Sequence, residues 1–204
     1  MSRGDPKPPP ANLNTRSLDA QMRGLRGLFW RLSLRGSANV DWSDRAEGRF
    51  SHPALPCKVL YFASLKSTAF WERFGDDLLD QDGSTRAISE PLLAARVWKT
   101  VLVGPGLRVL NLTDAAALRT IGADGATFSA HYECTQRWAA GLMAHPAAID
   151  GVIYASRLNP PKKCVALFER PHSAASLKVQ VRAPAPIDDP VILALLAKER
   201  IRLM

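Results

Sequence analysis

The chain has 204 residues, of which 47% are hydrophobic and 23% charged, and a formal net charge of +8. That balance supports one ordinary buried core. The longest apolar run, Val191 to Ala197, is seven residues, against the roughly 20 that cross a bilayer. The start MSRGDPKPPP lacks the apolar stretch of a secretory signal. Cys57, Cys134 and Cys164 are odd in number and widely spaced, which argues against a disulfide framework and for a reducing cytoplasm. The four histidines form no HExxH and no i,i+4 pair, so no metal site is expected. Positive charge concentrates at the ends: residues 1–50 carry +4, 51–156 carry −1 and 157–204 carry +5. A solvated surface explains this, as does attraction to an anionic ligand or partner. There is no basic stripe interleaved with aromatics and no nucleic-acid motif, so a basic nucleic-acid-binding module is the weaker, non-enzymatic alternative.

In chain order, Pro-rich residues 1–15 read as a flexible arm. Ser17 is placed to cap a short helix through about Leu25. Gly27 to Ser33 reads as a first strand, 34–48 as a polar loop, and Arg49-Phe50 as the opening of an extended piece. Val59 to Ala63 is a compact buried strand. Ser67 to Leu79 is the clearest helix, because Phe70, Trp71, Phe74 and Leu78 share one face. Its acidic end (Asp76, Asp77, Asp80, Asp82) opposes the helix dipole. Val97 to Val103 and Leu107 to Leu112 read as strands split by a Gly-Pro-Gly turn. Thr113 caps a helix closed by Gly122, and a second helix runs from about Cys134 to His145. Val152 to Ala155 and Val165 to Glu169 follow as core strands, Leu177 to Val181 as an edge strand, and Val191 to Leu203 as a C-terminal helix. The pattern predicts an α+β fold, a mixed central sheet flanked by helices, without βαβ rhythm. The boundaries expected are an arm over 1–15, a domain over 16–186 and the packed helix region over 187–204.

Five polar residues stand within or beside these apolar segments: Arg31, Arg49, Tyr61, Glu72 and Ser156. A charge placed there must be paired or serve a ligand. Each has a plainer reading: a surface arginine, a satisfied core tyrosine, a solvent-facing helix carboxylate, a turn hydroxyl. Glu72, however, projects well over 90° from the apolar stripe of its helix, toward solvent or a cleft. Two guanidiniums match the oxygens of a pyrophosphate. A carboxylate steadies an oxocarbenium-like centre.

The ordered series Arg31, Arg49-Phe50, LYFA, the helix with Glu72, DGVIYASR and ALFE resembles the RES-domain family, named for its Arg, Glu and Ser. The resemblance spans roughly Gly27 to Glu169 and departs at Leu158, where a basic or polar residue is common. It implies an ADP-ribosyltransferase-like fold around an NAD cleft. It also implies a toxin of a toxin–antitoxin pair, usually neutralised by an Xre-type antitoxin. NAD⁺ is then substrate, with no bound cofactor. Carried over by motif, Arg31, Tyr61, Glu72 and Ser156 are expected to be catalytic, and Arg31, Arg49, Tyr61 and Ser156 to bind the dinucleotide. Three fates of the ADP-ribose stay open: water (glycohydrolase), phosphate (phosphorylase) or a protein acceptor (ADP-ribosyltransferase). So does the setting: a cytoplasmic toxin, or a secreted effector held by an immunity protein and delivered into a target cell. No membrane partner is expected.

Overall fold

The structure is a computed structural model that describes residues 7–46, 48–81, 86–129 and 131–204. One large sheet carries the strands β1 (Met22–Gly24), β2 (Gly27–Leu34), β3 (Val59–Ala63), β5 (Arg96–Val103), β6 (Arg108–Asn111), β7 (Gly151–Ala155), β8 (Lys163–Phe168) and β9 (Leu177–Arg182). Their order is β1-β6-β7-β8-β3-β2-β5-β9, with β6 and β7 parallel and the other pairs antiparallel. The expected mixed α+β fold is therefore present. Two short parallel strands, β4 (Ala87–Ile88) and β10 (Arg202–Leu203), form a separate ribbon. The helices are α1 (Lys66–Leu79), α2 (Glu90–Ala94), α3 (Ala115–Ile121), α4 (Tyr132–Met143) and α5 (Pro190–Lys198). Among the described residues, no helix is long and apolar enough to cross a membrane.

The strand period of two builds both faces. On β3, Val59 and Ala63 face the core that holds Phe70, Trp71 and Phe74 of α1, while Leu60 and Phe62 face a second core with Val101, Val103 and Val165. The sheet is thus buried on both sides at its centre. The seam between β2 and β3 differs from its neighbours. β2 pairs with β5 along its whole length but meets β3 at a single position, Trp30 opposite Ala63. The sheet parts along this seam.

Several segments differ from the sequence expectation. The helix expected over Ser17 to Leu25 is instead a 3-10 turn, Asp19–Gln21, followed by β1, because Met22 and Arg23 find strand partners in Leu110 and Val109. Arg49-Phe50 is a turn, not an extended piece: Gly48 N–H donates to Arg45 O and Ser51 N–H to Gly48 O. Asp114, not Thr113, caps α3, while Gly122 closes it at φ 82°. The C-terminal helix stops at Lys198, where Ile201 N–H returns to Leu196 O and Arg200 takes φ 56°. The residues beyond it gain ladder hydrogen bonds on β4 instead. In place of a free arm, residues from Lys7 on lie against α4: Trp138 Nε1 donates to Lys7 O at 2.9 Å, and Leu13 is buried. At the acidic end of α1, Asp76 is paired with Arg157, which offsets the unfavourable dipole. Asp82 lies outside the described residues.

Candidate active site

A cleft of about 240 Å³ opens at the parted seam, lined among others by Trp30, Arg49, Tyr61, Glu72, Arg73 and Tyr132. Arg31 also borders it. Four of the five singled-out residues therefore meet in one cavity, although they come from β2, the 35–58 loop, β3 and α1.

The two arginines do different work. Arg31 spans the seam. Its Nη1 donates to Tyr61 O (3.0 Å), Nη2 to Asp41 O (3.0 Å) and Nε to Ser33 Oγ (3.2 Å). Burial lowers its pKa, and the nearby Asp41 carboxylate opposes that shift. Arg49 is 7% exposed, and its Nη1 donates to Phe128 O at 2.7 Å. Its guanidinium carbon sits 5.5 Å from the Tyr154 ring centre. Among the described residues it has no ion-pair partner. A buried guanidinium left without an anion is costly unless a ligand supplies one.

The turn that presents Arg49 is held by α4. Gln136 Nε2 donates to Ala46, Gly48 and Ser51 carbonyls, and Thr135 Oγ1 to Arg49 O. Tyr61 completes the hold. Its hydroxyl accepts from Phe50 N–H at 2.8 Å, and burial pushes its pKa up to about 12. The phenol therefore braces the Arg49 turn, with its ring edging the cleft. Gly48 permits this approach, since a Cβ there would lie 2.9 Å from the Tyr61 hydroxyl and 1.9 Å from Ser51 Oγ.

Glu72 faces the cleft from the exposed side of α1. Ser156 Oγ donates to its Oε1 at 2.6 Å and Tyr154 hydroxyl to its Oε2 at 3.3 Å. Ser156 is 1% exposed and stands behind the carboxylate rather than on the cleft wall. The turn after β7 clamps α1 through four consecutive residues. Ser156 holds Glu72 and Arg157 pairs with Asp76. Leu158 packs where Gly75 leaves room, and Asn159 Nδ2 donates to Thr68 Oγ1 at 3.0 Å. Asn159 N–H also donates to Ser156 Oγ, which frees the serine proton for Glu72. The departure at Leu158 thus has a packing role.

Tyr154, Tyr132 and Arg73 also line the cleft, and the sequence pattern does not mark them. Tyr154 is the findable one: it lies on β7 two residues before Ser156, which directly follows the strand, and both hydroxyls reach Glu72. Cys164 also lines the cleft, and burial pushes its thiol pKa up, which disfavours a thiolate there. The arrangement is a carboxylate fixed by two hydroxyl donors and, lining the same cleft, a buried cation that makes one side-chain hydrogen bond among the described residues. Such a site stabilises positive charge at one point of a ligand and negative charge at another.

A family model described as "RES domain" matches residues 28–189. Comparison with the curated proteins gives no match. Among solved structures, a chain of the M. tuberculosis MbcT-MbcA toxin-antitoxin complex superposes with a TM-score of 0.62 at 16% identity, covering 87% of this chain and 96% of that one. The likeness is one of fold, and the range matched by the family model contains Arg31, Arg49, Tyr61, Glu72 and Ser156. By that match the chain belongs to the RES domain family.

Proposed function

We propose that the chain is the toxin of a toxin–antitoxin pair and consumes NAD⁺ by breaking its nicotinamide–ribose bond. The observation that carries this reading is Glu72: a carboxylate at an open cleft whose two oxygens are both engaged by hydroxyl donors. The likeness to a chain of a toxin–antitoxin complex supports the biological setting. Arg49 offers its remaining N–H groups to the pyrophosphate, while Arg31 keeps the seam in register and adds positive potential. As the C1′–N bond breaks, its electron pair passes to the pyridinium nitrogen and neutral nicotinamide leaves. Glu72 faces the resulting oxocarbenium and its ribose hydroxyls. Water then adds at C1′ and releases a proton, giving ADP-ribose; inorganic phosphate gives ADP-ribose-1″-phosphate instead. Ser156 and Tyr154 orient the carboxylate, and Tyr61 orients Arg49. The reaction needs no protein nucleophile, since nicotinamide is already a good leaving group. The producing cell must restrain such an activity in its cytoplasm, which calls for an antitoxin that closes the cleft.

The test is nicotinamide release from NAD⁺ by the purified protein, followed by chromatography with and without phosphate. Wild type releases nicotinamide and Glu72→Gln does not. Absence of release by wild type, or full release by the Glu72 variant, overturns the assignment.

A further inference from the structure

Two arginines at or next to the cleft, Arg73 and Arg96, have no ion-pair partner among the described residues. Arg96 opens β5 and is 7% exposed, yet its Nε has no hydrogen-bond partner. Its guanidinium carbon lies 5.9 Å from the centre of the Phe74 ring, and that of Arg73 lies 5.6 Å from the same ring. Arg73 follows Glu72 on α1 and lines the cleft. Arg96 stands opposite Leu34 at the end of β2, one same-face step beyond Leu32, which also lines the cleft. Burial is the main cause of a lowered pKa at Arg96, and the charges of Arg73 and Arg45 add to it.

Packing alone is a poor account of this cluster. One arginine stem covers an aromatic face, and a second cation on the same ring adds repulsion to the attraction it gains. A buried guanidinium with an unpartnered N–H costs further. An anion with several oxygens removes both penalties, and phosphate matches the guanidinium fork. We propose that Arg73 and Arg96, which share the Phe74 ring, form a phosphate-binding subsite at the rim of the Glu72 cleft. The phosphate group is either carried by a nucleotide ligand or free in solution, and only the choice between these rests on the NAD⁺-consuming reading above.

The experiment is isothermal titration of the full chain with inorganic phosphate and with pyrophosphate, at ionic strength held constant with sodium chloride. Saturable binding is expected. Arg73→Gln, at an exposed helix position that does not disturb folding, weakens it about tenfold or more. Arg137→Gln, which removes an equal charge on α4, leaves it unchanged. No saturable binding of either anion, or equal loss in the two variants, overturns the subsite. Kinetics assign the source: competition between phosphate and NAD⁺ places the dinucleotide's own phosphate there, and acceleration of NAD⁺ consumption places free phosphate there. Phosphate binding in a protein that releases no nicotinamide leaves the subsite standing and removes the NAD⁺ reading.

Discussion

Ser156→Ala isolates the contact on which the site depends. The Ser156 hydroxyl gives its proton to Glu72 Oε1 at 2.6 Å and accepts from Asn159 N–H at 3.0 Å. A hydrogen bond to a charged group is worth about 1.5–3 kcal/mol. If it holds Glu72 in the geometry that meets the transition state, its loss lowers kcat about 10- to 150-fold at about 1.4 kcal/mol per decade. Because Ser156 stands behind the carboxylate, KM for NAD⁺ stays within about twofold, as befits an interaction made mainly in the transition state. The assay is nicotinamide release over a range of NAD⁺ concentrations, with circular dichroism confirming an intact fold. A folded Ser156→Ala protein with wild-type kcat refutes the idea that this hydroxyl orients Glu72. A rise in KM at constant kcat refutes its placement behind the carboxylate and points to direct substrate contact.

Three further expectations concern the scaffold. Lys66→Met leaves Asp189, which is fully buried and paired to Lys66 at 2.5 Å, without its cation; urea denaturation then shows a loss of about 3–5 kcal/mol, and a loss under about 1 kcal/mol refutes the pairing's importance. Gly151→Ala places a Cβ 2.5 Å from Ala166 O and 2.9 Å from Leu167 Cα on the adjacent strand, backbone atoms that cannot turn aside, so the same assay reads a cost of about 1–3 kcal/mol; wild-type stability there means that the β7–β8 spacing is looser than described. All three tyrosines have raised pKa values, chiefly from burial, with Tyr61 at about 12. Their folded-state pKa exceeds the unfolded value, so the unfolded state loses its protons first, and stability falls as pH rises from about 10 toward 12. Phenolate absorbance of the native protein lags that of the urea-unfolded chain, and coincident titration curves refute the burial of these hydroxyls.

The central strands and α1 were legible because local pattern and tertiary role agree there. Phe70, Trp71, Phe74 and Leu78 share a helical face whether or not the sheet is present, and the β3 run Val59 to Ala63 is too apolar for any place but a sheet centre. The pattern failed where hydrogen bonds come from distant chain. Met22–Gly24 looks helical until β6 offers a partner, and Arg202–Leu203 extends α5 until β4 does the same. The polar start of the chain gave no local sign of its contacts, since Lys7 is held by Trp138 through a backbone carbonyl.

At the site, the sequence marks Arg31, Arg49, Tyr61, Glu72 and Ser156 as polar groups beside apolar segments and, through the helical wheel, shows that Glu72 turns away from its own apolar face. Those are properties of residue type and short-range periodicity. Tertiary structure alone decided their division of labour. Arg31 became a seam tie and Arg49 a buried cation with no ion-pair partner among the described residues, because β2 and β3 part after one pair. Ser156 became the support of Glu72, because the turn after β7 lands on α1, 84 residues earlier in the chain. The orientation of a hydroxyl or a guanidinium depends on which acceptor stands within about 3 Å of it, and that distance is set by packing between elements far apart in the chain.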